Sequence, residues 1–180
     1  FLNAGPGYGG SCLPKDMKAL INFASSVGVK PILLNAVEEI NEKQLQEIIK
    51  LLEKKLNGIS SKRITVMGTS FKPNTDDIRD SISVKLIKKL LMKKSKITVY
   101  DPKALENTKK IFGDKICYEN TVIDALSKSQ CAIFMTHWKE FEKIDNKSIR
   151  HMKRRLIIDC RRIFAEEKLD AEYYALGIGQ

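Results

Sequence analysis

From Arg63 onward the sequence switches repeatedly between short β-branched apolar runs and segments with helical spacing, a rhythm that few folds accommodate. Arg63–Thr69, Lys96–Tyr100, Ile116–Tyr118, Cys131–Thr136 and Leu156–Asp159 read as strands, and a last helix-to-strand passage falls around Tyr173–Gly177. Cys131–Thr136 and Leu156–Asp159 are apolar enough for strands buried on both faces of a parallel sheet. Asp80-Ser-Ile-Ser83 offers N-caps to a helix reaching about Met92, with Val84, Ile87, Leu90 and Leu91 on one face. Helices are also predicted near Ala104–Phe112 and Val122–Ser127. The pattern dictates an α/β fold: a doubly wound parallel sheet that binds ligands at the carboxyl ends of its strands.

Two helical patterns precede the sheet. Met17, Leu20, Ile21, Ala24 and Val27 recur at helical spacing after Pro14, and Gly28 supplies a C-cap before Pro31. Leu33, Val37, Ile40, Leu45, Ile48, Leu52 and Leu56 then keep one apolar face from Pro31 to about Leu56. At 1.5 Å per residue that helix would be on the order of 36 Å long. The first helix is too short to cover it, so the stripe is predicted to pack on another domain or another subunit. Asn41 stands out on its polar side, either solvated or functional. Asn57-Gly-Ile-Ser-Ser61 ends the helix and divides a helical region, 1–58, from a sheet domain, 59–180.

The helical region opens on Gly5-Pro-Gly-Tyr-Gly-Gly-Ser-Cys-Leu-Pro-Lys-Asp16, with four glycines in six residues. Glycine lets backbone amides approach a ligand closely. Cys12 falls just ahead of Pro14, a residue favoured in a first helical turn, and a helix start favours thiolate. The stretch reads as a pocket lip ending in a nucleophile, or equally as a Gly-rich turn before a helix with a small buried cysteine. At the sheet's carboxyl edge, the strand ends gather Lys72, Arg161 and Arg162 at one rim, with Phe71 and Trp138 as stacking surfaces. Cationic and aromatic groups there suit a nucleoside diphosphate, with ordinary surface Arg and Lys as the competing reading. Gly68 stands alone where a GxGxxG loop would put three glycines, so this sheet carries no dinucleotide fingerprint.

Composition narrows the class. The net charge of +10 invites a nucleic-acid reading, but the Lys-Lys pairs lie on helices or their ends without an aromatic platform, so no nucleic-acid partner is expected. No apolar run approaches the roughly 20 residues of a membrane span, and no membrane partner is expected. Cys12, Cys117, Cys131 and Cys160 show no CxxC and no His at metal-ligand spacing; no metal is expected, and reduced thiols in a cytoplasm are the better reading. The chain opens on Phe1 and reaches glycine-rich sequence at once, which suggests the C-terminal piece of something longer.

The segment Gly5–Asp16 resembles the active-site segment of the UDP-glucose/GDP-mannose dehydrogenase family, and Phe71-Lys-Pro-Asn-Thr-Asp-Asp-Ile-Arg79 resembles that family's substrate-domain loop. Tyr100-Asp-Pro102, Thr136-His-Trp138 and Asp159-Cys-Arg161 fall in the family's order and spacing. The resemblance covers nearly the whole chain. It implies a Rossmann-like nucleotide-sugar domain behind a truncated central helical region, a homodimer through the long helix 31–56, and NAD as cofactor. Gly5-Pro6-Gly7 and the Phe71-Lys72 loop tilt the expected substrate to UDP-glucose; GDP-mannose, another nucleotide sugar, and a non-catalytic UDP-sugar module remain open.

The resemblance also implies roles. Cys12 would capture the aldehyde formed in the first of two oxidations, and Asp16, one helical turn on, would act as general base toward water. Asn3, Gly5, Tyr8 and Gly9 match the loop around the sugar nucleotide; Phe71, Lys72 and Arg161 match further substrate contacts. Lys15 and Arg79 match positions that approach NAD. Asn3 departs from relatives with lysine there, and His137 sits where an acidic residue is frequent. The family's N-terminal NAD-binding domain lies outside these 180 residues, so the chain is expected not to turn over alone.

Overall fold

A computed structural model describes residue 3, residues 5–164 and residues 168–178. Two helices come first, α1 (Leu13–Ser26) and α2 (Ile32–Leu56). The sheet region then runs β1 (Arg63–Met67), α3 (Ile82–Met92), β2 (Lys96–Tyr100), α4 (Leu105–Phe112), β3 (Cys117–Tyr118), α5 (Val122–Leu126), β4 (Cys131–Phe134), α6 (Asn146–Ile149), β5 (Leu156–Asp159) and β6 (Glu172–Ala175). The strands form one six-stranded sheet in the order β3-β2-β1-β4-β5-β6, and every pairing is parallel. The order reverses direction between β1 and β4, which opens a crevice at their carboxyl ends.

Each face of the sheet has its own cover. On one side Ile64, Val66, Ile97, Val99, Ile133 and Ile158 pack with α3 and the second half of α2. On the other, Met67, Ala132, Phe134 and Ile157 pack with α5, α6 and the segment around Phe141, whose ring meets Phe134 edge-on at 5.5 Å. All four residues of β4 and of β5 are buried, as their unbroken apolar sequence predicts.

The long stripe of α2 divides in two. Leu45, Ile48, Ile49, Leu52 and Leu56 are buried in the sheet's own core. Ile32 and Leu33, 74% and 75% exposed, are left uncovered, as are Phe23 of α1 and Val27 just after it. The far end of α2 is pinned again: Arg154 donates to the Lys55 carbonyl at 2.8 Å while holding Glu172 of β6 through Nε and Nη2. The second half of α2 is therefore one body with the sheet, and its first half carries the loop ahead of α1.

Three local expectations fail for physical reasons. Ser81 stands at the N-cap of α3, but its hydroxyl donates to the Thr69 carbonyl at 2.7 Å instead of capping. Trp138 is no stacking surface: it is 5% exposed, with its indole Nε1 donating to Asp101 at 3.2 Å. Arg162 turns away from the rim and donates to the Leu176 carbonyl. Among the described residues no helix is long and apolar enough to cross a membrane.

Candidate active site

Two buried aspartates shape the sheet's carboxyl edge. After β1 the chain bends at Gly68, where φ is +90° and a Cβ would lie 2.5 Å from Thr136 Cβ. The loop that follows is folded onto Asp101 at the end of β2. One oxygen accepts from Thr69 N (2.7 Å), Ser70 N (3.0 Å), Ser70 Oγ (3.0 Å) and Trp138 Nε1 (3.2 Å). The other accepts from Lys103 N and Ala104 N at the start of α4. In a dinucleotide site the acid after the second strand is free for a ribose. Asp101 is 1% exposed and bonded at both oxygens, and Gly68 has Thr136 packed against it, so this sheet does not fit NAD. Its bonds hold Phe71 and Lys72 in place instead.

Asp159 does the same for Arg161. It accepts from Arg161 N (2.9 Å), Ile163 N (2.6 Å), Phe164 N (3.1 Å) and the Tyr173 hydroxyl (3.0 Å). The Arg161 side chain returns over β4, donating from Nε to the Met135 carbonyl at 2.8 Å. Burial pulls this guanidinium below the usual arginine range, and no carboxylate among the described residues is paired with it. A largely buried, uncompensated cation is a demand for an anion.

The glycine loop lies across these elements, and each glycine meets a different one. A Cβ on Gly5 would sit 2.5 Å from Arg161 Nη1, and one on Gly10 2.7 Å from the Phe71 ring. On Gly7 it would run into Asn41 Oδ1, and on Gly9 into the Asp80 carbonyl. Close approach thus demands glycine at both loop ends and in between. Gly9→Ala isolates the effect of close approach, because Gly9 alone of these meets backbone, which cannot swing aside as a side chain can. Its expected result is nucleotide affinity lowered at least about tenfold by calorimetry, since binding depends on a 1 Å-scale fit.

Between loop and sheet edge lies a cavity of about 540 Å³. Every residue matched above to a substrate contact lines it: Asn3, Gly5, Tyr8 and Gly9 from the loop, and Phe71, Lys72 and Arg161 from the sheet. Gly7, from the same matched loop, and Leu13, which was not anticipated, complete the wall. Tyr8 is fixed from α2. Asn41 Oδ1 accepts from Tyr8 N at 2.8 Å, Asn41 Nδ2 donates to Tyr8 O at 3.1 Å, and the phenol donates to Glu38. Burial, and then the Glu38 carboxylate, push the Tyr8 phenol up to about 12.

The residues matched to chemistry stand beside the cavity instead of in its wall. Cys12 is exposed at the start of α1, one residue before the wall residue Leu13, and its Sγ is 3.6 Å from Ser11 Oγ. Asp16 N donates to the Cys12 carbonyl, which puts the pair one turn apart as the sequence predicts. The Asp16 carboxylate is exposed and 3.5 Å from Lys15 Nζ. Arg79 grips Asp77 at 2.7 Å; that bond raises its guanidinium above the usual range, and Cys12 is close enough to add to the effect. His137 meets Glu142 at 3.0 Å. Asp101, Asp159 and Glu38 escaped sequence reading as site residues. Asp-Pro after one strand and Asp before Arg161 after another were the available signals for the first two.

A family model described as the UDP-glucose/GDP-mannose dehydrogenase family, UDP binding domain, matches residues 65–166, and that family's central-domain model matches residues 1–43. A UDP-glucose 6-dehydrogenase of Haloferax volcanii is 41% identical over 96% of this chain and 40% of its own length. One from Bacillus subtilis is 34% identical over 97% of this chain and 38% of its own. The chain thus spans about two fifths of these relatives. The solved structure of a UDP-glucose dehydrogenase from Pyrobaculum islandicum superposes with a TM-score of 0.86 at 32% identity, covering 95% of this chain and 38% of that one.

Proposed function

Because the chain belongs to the UDP-glucose/GDP-mannose dehydrogenase family, we propose that it supplies the sugar-nucleotide site and the nucleophile of a UDP-glucose 6-dehydrogenase. One observation carries the reading: the glycine loop, the Phe71-Lys72 loop and an Arg161 that no carboxylate among the described residues pairs with converge on one cavity beside the Cys12 helix start. In this reading the substrate diphosphate meets Arg161 and Lys72, Phe71 and Tyr8 offer ring faces, and the sugar C6 points along Leu13 toward Cys12.

NAD would be held outside the residues described here, with Lys15 and Arg79 reaching toward it from the exposed rim; each NAD accepts one hydride, so the two oxidations would consume two in turn. The C6 alcohol loses a hydride and a proton and becomes an aldehyde. Cys12 thiolate adds to the aldehyde carbon as the C=O π pair moves onto oxygen, which takes a proton from water, forming a C–S bond and a thiohemiacetal. Loss of a second hydride and proton leaves a thioester. Water attacks that carbon while Asp16 takes its proton, and the C–S bond breaks to give carboxylate and free thiolate.

Cys12 alkylation tests the arrangement. Cys131 and Cys160 are fully buried, so exposed Cys117 is the informative control. UDP-glucose should slow iodoacetamide labelling of Cys12 several-fold and leave Cys117 unchanged; equal rates with and without ligand would count against the reading. With UDP-glucose and NAD the 180-residue chain alone should give no NADH absorbance, and any turnover would overturn the expectation that hydride acceptance needs further residues.

The open apolar face of α1 and the first half of α2 supports a homodimer through α2. Leu33→Glu should convert the chain from dimer to monomer in sedimentation equilibrium. A wild-type chain that stays monomeric with α2 folded would contradict the assembly. Free thiols at all four cysteines are in keeping with a cytoplasmic setting.

A further inference from the structure

Asn41 stands out in the sequence, and the chemistry above gives it no task. It lies on α2, outside the cavity wall, thirty-three positions from the residue it binds. Its amide spans both backbone groups of Tyr8, accepting from N at 2.8 Å and donating to O at 3.1 Å. A primary amide used this way copies the pairing of a neighbouring strand, and a carboxylate, which only accepts, cannot reproduce both bonds. Glu38, three residues earlier and so on the same face of the helix, takes the Tyr8 hydroxyl. One helix face therefore grips Tyr8 by its backbone and by its ring.

The grip falls in the middle of the lip. Gly5, Gly7 and Gly9 flank Tyr8, and glycine gives up more conformational freedom on ordering than any other residue. Left to itself such a segment would be ordered only by its ligand, and that ordering would be subtracted from affinity. The helix doing the holding is fixed, since its second half is buried in the sheet's core and its end is tied to β6 through Arg154. Asn41 adds to what φ +113° already asks of Gly7: its Oδ1 occupies the space that a Cβ at residue 7 would take.

We propose that Asn41, assisted by Glu38, is a positioning residue for the sugar-nucleotide site, fixing Tyr8 so that the Gly5–Gly10 lip is formed before ligand arrives. The proposal rests on the reading of the cavity as a UDP-sugar site, and its test separates the two. In the 180-residue chain, Asn41→Ala and Asn41→Asp are compared with wild type by UDP-glucose calorimetry and by amide hydrogen exchange. Asn41→Asp keeps the acceptor for Tyr8 N, sets a second acceptor against Tyr8 O, and serves where Asn41→Ala does not fold.

Both variants should bind UDP-glucose about tenfold more weakly, in line with the loss of one or two part-buried hydrogen bonds. Exchange should quicken at Gly7–Gly10 and stay slow in β1 and β4. A folded variant with wild-type affinity and wild-type lip exchange overturns the proposal. So does a lowered melting temperature with unchanged affinity, which would make the bond a staple of α2 alone. Should wild type bind no UDP-glucose, the UDP-sugar reading falls; the exchange arm then decides by itself whether Asn41 orders the lip.

Discussion

Arg161→Ala should weaken UDP binding by about a hundredfold, the scale of losing charge-assisted hydrogen bonds to a phosphate in a partly desolvated site. The same change should cost the fold little. The guanidinium is already stripped of much of its water, burial disfavours its charge, and no carboxylate among the described residues repays that. Its side-chain bond, Nε to the Met135 carbonyl, is set against the relief of a cation with no paired carboxylate among the described residues. Affinity and stability should therefore part company: calorimetry should register the loss while the melting temperature holds or rises. Arg161→Lys should recover only part of the affinity, because an ammonium keeps the charge and loses the planar fork. An alanine variant that binds UDP like wild type would remove Arg161 from the site.

Asp101→Ala should have the opposite profile, destabilising the fold by about 3–5 kcal/mol in chemical denaturation. The carboxylate is 1% exposed, and the amides of Thr69, Ser70, Lys103 and Ala104 and the Trp138 indole would lose their acceptor together. Each buried donor left without a partner costs about 1–3 kcal/mol, and partial relaxation keeps the sum below the full total. At about 2–4 °C per kcal/mol for a chain of this size, the melting temperature should fall by about 10 °C. A change below 1 kcal/mol would mean that water or a neighbour replaces the carboxylate, and that the loop carrying Phe71 and Lys72 does not depend on it.

Much of this architecture is legible in the sequence because it rests on local signals. Lys96–Tyr100 and Leu156–Asp159 match their strands end to end, since unbroken β-branched runs between turn residues leave little choice. The Asn57-Gly58 stop matches the end of α2, with Asn57 left-handed at φ +51°. The convergence of the loop and sheet residues on one cavity followed from strand order, because the switch point brings the ends of β1 and β5 to opposite sides of β4's end.

What escaped was tertiary. The same indole can stack on a ligand or fill a core, and only the neighbourhood of Asp101 buries Trp138. The stripe of α2 has one period from end to end, so nothing in it announces that half is covered by the sheet and half left open. Asn41 looks like any helix-surface asparagine until Tyr8, far away in sequence, is laid against it. Glycines could be recognised as a loop, but not that each one answers to a different neighbour.

The most direct test of the UDP-sugar site is calorimetric titration of the 180-residue chain with UDP-glucose and, separately, with GDP-mannose. The expected result is saturable UDP-glucose binding at one site per chain, weaker binding of GDP-mannose, and loss of the UDP-glucose signal in Arg161→Ala. Tighter binding of GDP-mannose, or no binding of UDP-glucose to a folded chain, would contradict it.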